Sequence, residues 1–162
     1  MLVSSGSAWG TAMETIKTLS RSTSGKTELT TVDALRTLLR HADVPLETGS
    51  SSPPRLEDIP LKVRKEALST IANTLFLHSS TTLSSLSTLD AGRAVVRQLR
   101  TEQAQAGNVD DTLVFLYGRI LMWMTASRES GFLENLVDEQ GLVQAIKTVR
   151  RGDRMRDMVR GD

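Results

Sequence analysis

Ser24-Gly25-Lys26-Thr27 has the ending of a phosphate-binding loop. In such a loop backbone amides cradle phosphate, the lysine reaches the outer phosphates and the hydroxyl holds a magnesium ion. That chemistry also needs a glycine five positions before Gly25, where this chain has Ser20, and a strand leading into the loop, where this chain has a helical pattern. The four residues read as a plain turn. His41 and His78 are the only histidines, and neither has a histidine or carboxylate four positions away, the spacing for a metal pair on one helix. Each reads as a polar helix-end residue, and no metal site is expected. The chain has no cysteine, which removes thiolate nucleophiles, thiolate zinc sites and disulfides together and fits a reducing compartment. Ser, Thr and Asp are plentiful, but no Gly-x-Ser-x-Gly elbow presents a serine to a base. Side-chain catalysis is not expected, and no cofactor is implied. Arg151-Gly152-Asp153 and Arg160-Gly161-Asp162 spell an adhesion tripeptide twice. Nothing else directs the chain outside a cell, and both read as chance.

Two constellations suit binding instead. Glu66, Thr70, Asn73 and Leu77 follow one another at four-, three- and four-residue steps, off the stripe of Leu68, Ile71 and Leu75. On a helix this sets a polar face, one that can line a groove, back to back with a core face. Phe115, Arg119, Met122, Trp123 and Ala126 share another face, with Arg119 flanked by aromatic rings one turn away on each side. Arginine between aromatics is a frequent interface anchor: the rings supply area and the guanidinium a directed charge.

Helices must position these residues. Trp9, Ala12, Met13, Ile16 and Leu19 recur at helical steps and predict a first helix from about Ser7 to Ser20. Val32, Leu35, Leu38, Leu39 and Ala42 predict a second. All four prolines, Pro45, Pro53, Pro54 and Pro60, bracket a Ser/Gly run, so residues 45–60 read as an internal linker in which no helix propagates. A third helix follows over Leu61 to Leu77. A short Ser/Thr-rich segment with Leu83 and Leu86 precedes a helix that Gly92 opens and Val95, Val96 and Leu99 stripe. Thr112 to Ala126 is apolar almost all round, as suits a helix buried in a stack. Beyond Gly131 the short, medium, long order begins again, with Leu142, Ala145, Ile146 and Val149 on the last helix and a charged extension over residues 151–162.

No alternating stretch bounded by hairpin signals predicts a strand. Asn73 and Arg119 occupy similar places in successive long helices, 46 positions apart, and Gly92 and Gly141 open medium helices 49 apart. Those periods are at or just above the ~40–47 residues of armadillo and HEAT repeats. The expected fold is therefore all-α: an armadillo/HEAT-like right-handed helical solenoid of about seven to eight helices, forming one domain over residues 1–162. With 20 Lys plus Arg against 19 Asp plus Glu, no one-signed field directs the chain to nucleic acid. The longest apolar run, Leu113 to Met124, is broken by Gly118 and Arg119 and falls short of the ~20 residues of a membrane span. No leader pattern opens the sequence.

Met13-Glu14-Thr15-Ile16-Lys17-Thr18-Leu19-Ser20-Arg21, Glu66-Ala67-Leu68-Ser69-Thr70-Ile71-Ala72-Asn73-Thr74-Leu75 and Leu116-Tyr117-Gly118-Arg119-Ile120-Leu121-Met122-Trp123-Met124-Thr125-Ala126 resemble, in that order, three long helices of the synembryn family. The likeness extends to Ala34 through His41 and to Gly141-Leu142-Val143. Members of that family are cytoplasmic armadillo-repeat chaperones and guanine-nucleotide exchange factors for heterotrimeric G-protein α subunits. The resemblance implies a monomer that grips the C-terminal helix of an α subunit in a concave trough, with later repeats and a tail engaging the GTPase domain. On this likeness the chain is an early portion of a longer protein, ending near Arg150. The resemblance puts Lys17, Arg21, Asn73 and Arg119 on the trough side, with Trp123 beside Arg119, and makes Asn73 the asparagine that bonds a ligand backbone. Glu14 departs from a pattern that is often basic there. A general armadillo scaffold for another peptide or helix is the alternative function.

Overall fold

Two long helices define the architecture of the computed structural model. It describes residues 14–16, 18, 21–46, 59–77, 79–104 and 109–126. Among them are six α-helices: α1 (Thr23–Leu29), α2 (Val32–His41), α3 (Leu61–Leu77), α4 (Ser79–Thr88), α5 (Ala91–Ala104) and α6 (Asp111–Ala126). A helical stretch at Glu14–Ile16 belongs to the first predicted helix. No strand occurs among the described residues, whose regular structure is all-helical, as expected. The middle of the 45–60 linker, the helices predicted beyond Gly131 and the 151–162 extension lie outside the described residues.

Local chemistry sets each boundary. Pro60 precedes α3, where a missing N–H is harmless, and its carbonyl accepts from Arg64 N–H at 3.1 Å. Thr31 caps α2 by accepting from Ala34 N–H at 3.3 Å, with Asp33 in the first turn and Arg40 and His41 in the last, the charge order the helix dipole favours. His41 is indeed a helix-end residue, its Nδ1 lying 2.7 Å from the Thr37 carbonyl. The helix closes through Val44 N–H to Leu39 O and Asp43 N–H to Arg40 O, with Asp43 at φ 62°. This is a Schellman ending, and aspartate is among the few non-glycine residues that tolerate the left-handed region. Asp90, at φ 47°, turns the corner between α4 and α5 in a similar way.

One segment departs from the sequence reading. Ser24-Gly25-Lys26-Thr27 lies within α1 and is not a plain turn. Ser22 caps this helix by accepting from Gly25 N–H at 3.2 Å, and Leu29 packs against the core. Seven residues with so little intrinsic helix propensity hold the form through that cap and that packing.

The core follows the predicted stripes. Leu35 and Leu39 of α2, Leu68, Ile71 and Leu75 of α3, Leu86 of α4, Leu99 of α5 and Ile120 and Leu121 of α6 are all almost fully buried. α3 and α6 form one layer and share the most extensive packing; α4 packs on α3, α5 packs on α6, and α4 and α5 meet each other. The two long helices run parallel. Lys65 near the start of α3 pairs with Asp110 at the start of α6 at 2.7 Å, and Phe76 near the end of α3 meets Trp123 near the end of α6. These pairs are 45 and 47 positions apart in sequence, bracketing the 46 that separate Asn73 and Arg119. Parallel neighbours need a crossover, and α4 with α5 supplies it.

Candidate functional site

Exposure along α3 and α6 picks out one stripe on each. On α3, beyond the exposed Leu61 at its start and the part-buried Arg64, the residues not buried are Lys62, Lys65, Glu66, Ser69, Asn73 and Phe76; on α6 they include Thr112, Phe115, Arg119, Met122 and Trp123. Each set repeats at three- and four-residue steps and makes a single ridge. Because the helices are parallel neighbours, the ridges run side by side, at the ~8–10 Å typical of packed helices. Asn73 stands one turn before Phe76 and Arg119 one turn before Trp123, so the Phe76–Trp123 contact fixes Asn73 and Arg119 at the same level. The face predicted from Phe115, Arg119, Met122, Trp123 and Ala126 is the face α6 presents.

The polar face predicted on α3 divides. Asn73 and Glu66 are half-buried on the ridge. Thr70 is fully buried, its hydroxyl donating to the Glu66 carbonyl at 2.8 Å, and Thr74 likewise donates to the Thr70 carbonyl at 2.9 Å. With α2, α4 and α6 all packed against it, α3 has room for only a narrow outward stripe. A threonine that bonds its own helix can then serve as a core residue.

Among the other expected residues, Arg21 is exposed in the turn before α1, off both ridges, and its N–H donates to the Thr18 carbonyl at 3.1 Å. Lys17 lies outside the described residues. Arg119 is half-buried and makes no hydrogen bond or ion pair among the described residues. Trp123 is half-buried, packed against the core and met edge-on by Phe76, with ring centroids 5.4 Å apart and planes at 73°. Phe76 was not singled out from sequence, though an aromatic that continues the Glu66–Asn73 stripe is a readable signal.

At the other end of the ridges the register is held electrostatically. Asp110 accepts at Oδ1 from the Thr112 and Leu113 amides, at 3.0 and 3.1 Å, while its Oδ2 meets Lys65. Desolvation pushes its carboxyl up, but the Lys65 ammonium and those amides outweigh this and hold it below the ordinary value. Beneath the ridges lies a buried polar network. Arg64 of α3 donates to Glu102 Oε1 of α5, which also accepts from Gln98 Nε2 at 2.9 Å. Tyr117 of α6 donates to the Ala42 carbonyl at 2.8 Å and lies within the electrostatic reach of Arg64. Burial opposes the Arg64 charge, yet the bond to Glu102 and the influence of Tyr117 hold its pKa above the usual value.

This arrangement suits holding another chain. The described residues contain no group of three histidines or carboxylates able to ligate a metal, and no helix among them is long and apolar enough to cross a membrane. No curated protein and no solved structure matches the chain. Residues 12–154 match the family described as the guanine nucleotide exchange factor synembryn, a stretch that takes in both ridges and every helix between them. A match over that much of the sequence makes the chain a member of the synembryn family, exchange factors that regulate G-protein α subunits instead of transforming a substrate with their own side chains.

Proposed function

We propose that the α3 and α6 ridges bind the C-terminal helix of a G-protein α subunit and thereby support its folding and nucleotide exchange. Holding that helix away from the GTPase domain weakens the contacts the domain makes with its nucleotide, and no residue of this chain need touch the nucleotide. α3 to α6 act in this reading as part of an armadillo-like solenoid within a cytoplasmic, monomeric protein. Lys17 and Arg21 are assigned to the same partner from the chain's amino-terminal portion, Arg21 by a separate contact off the two ridges.

The observation that carries the reading is Arg119. A half-buried guanidinium without a hydrogen bond or ion pair among the described residues has given up part of its hydration without a compensating partner, and a carboxylate on a bound helix supplies one. Asn73, level with it on the neighbouring ridge, can meet backbone or side-chain polar groups of the same ligand.

Arg119→Glu replaces attraction with repulsion and should weaken binding of a peptide spanning the carboxyl-terminal helix of an α subunit at least tenfold, about 1.4 kcal/mol. The fold should survive, because Arg119 has no partner among the described residues to lose. A melting curve and a titration on the same sample check both halves; a folded variant with wild-type affinity overturns the assignment. Asn73→Ala should weaken the same peptide by about 1 kcal/mol, the usual size of one hydrogen bond. A large fall in melting temperature with unchanged affinity would make Asn73 a residue of the fold.

A further inference from the structure

Toward the carboxyl ends of the two ridges the surface turns apolar. Phe76 and Met122 are 55% and 56% exposed, more than any other large apolar side chain described. Phe76 belongs to one ridge and Met122 to the other, and Trp123, next to Met122, carries the contact between them. Phe76 is braced on one side. The Trp123 indole makes a T-shaped contact with it, and Trp123 itself packs against the core. An exposed ring already held in place loses little freedom when something covers it, which is how a few interface aromatics come to dominate binding.

One turn back along α6, about 5.4 Å, stands Arg119, half-buried and without a partner among the described residues. An apolar platform braced by Trp123 and a cation without a partner among the described residues thus lie one helical turn apart. The geometry points to a ligand helix that carries a bulky apolar side chain and a carboxylate three or four residues apart, the apolar group on Phe76 and Met122 and the carboxylate on Arg119. That spacing puts both groups on one face of the ligand. It also fixes the ligand's placement, with its apolar residue toward the carboxyl ends of α3 and α6 and its carboxylate one turn nearer their amino ends. The inference rests on the helix-binding reading above and adds Phe76 and Met122 as the residues that decide which helices are accepted.

The test is a titration of the whole chain with a labelled peptide of that carboxyl-terminal helix, and with a set of peptides in which each bulky apolar residue in turn is alanine. Phe76→Ala and Met122→Ala should each weaken the parent peptide by roughly five- to tenfold. For one alanine peptide, whose lost side chain lies one turn from an acidic group, both substitutions should have no further effect. Met122, more than half exposed, keeps the test decisive if Phe76→Ala lowers the melting temperature. If Arg119→Glu weakens binding while Phe76→Ala and Met122→Ala stay within twofold, the platform is overturned and the helix-binding reading stands. If no peptide binds, or if Arg119→Glu has no effect, that reading falls and the platform with it. A self-association seen by sedimentation that Phe76→Ala abolishes, with peptide affinity unchanged, gives the platform to a second copy and overturns the proposal.

Discussion

Replacing Glu102 with alanine should destabilise the chain by ~3–5 kcal/mol and lower its melting midpoint by on the order of 10 °C. Glu102 is 5% exposed and accepts from both Arg64 and Gln98. Removing it strands the Arg64 guanidinium, only 14% of whose side chain reaches solvent. The penalty is the desolvated charge left behind, not the net worth of the pair, and the two are separable. The double substitution Arg64→Met with Glu102→Leu removes both charges and fills similar volume, so it should recover most of the loss. Urea unfolding of the two single variants and the double gives the coupling directly. A Glu102→Ala variant within ~0.5 kcal/mol of the parent would mean that solvent reaches Arg64.

A second large effect should appear at high pH. Burial, opposed by the Arg64 guanidinium, pushes the Tyr117 phenol up to about 12. The unfolded chain has the ordinary value near ~10, so the folded state holds this proton more tightly. Its contribution to stability is complete below pH ~10 and disappears as pH rises toward ~12. About 2–3 kcal/mol should be lost across that window. Tyr117→Phe has no proton to lose there. It should start about 1 kcal/mol lower at neutral pH, lacking the bond to the Ala42 carbonyl, and then stay flatter than the parent. Lysine titration affects both proteins alike, so the difference between their urea midpoints from about pH 8 to about pH 12 isolates Tyr117. Parallel curves would place the phenol in water.

What the sequence made legible depends on how local the cause is. α3 spans Leu61–Leu77 as predicted, because Pro60 marks its start and Leu68, Ile71 and Leu75 give an unambiguous period. α6 begins at Asp111, one residue before its predicted range, because Asp110 caps it through the Thr112 and Leu113 amides. α1 was not legible. Its Ser, Gly and Thr residues carry turn propensity, and what makes them helical is Leu29 meeting a core assembled from distant segments. The face of Phe115, Arg119 and Trp123 was readable from spacing alone. Its pairing with Phe76 was not, because that pairing depends on α3 and α6 lying parallel in one particular register.

Arg64 and Glu102 are the instructive omission. They are 38 positions apart on different helices, and a charged residue by itself reads as surface. Yet Arg64 stands four before Leu68 and seven before Ile71, and Glu102 stands three after Leu99 and seven after Val95. Each charge is on a core stripe, and opposite charges on two core stripes of neighbouring helices already ask to be paired. Thr70 and Thr74 mislead in the opposite direction: their hydroxyls look outward-facing in sequence but are satisfied by the carbonyl one turn back, so the helix can bury them.

The near-constant offset between the parallel helices also bears on how the chain reaches this form. The pairs at the two ends of the α3–α6 seam join residues 45 and 47 positions apart, so no contact between them requires a much longer loop to close than any other. The entropy of closing such a loop grows only with the logarithm of its length, and α4 and α5 shorten the effective loop further as they coil. Once one pair on the seam, such as Lys65 with Asp110, is made, each further turn of α6 that meets α3 adds almost no loop-closure cost, and only the ordering of its own residues remains to be offset by packing. Contacts of this medium range favour quick, local assembly over a search across the whole chain.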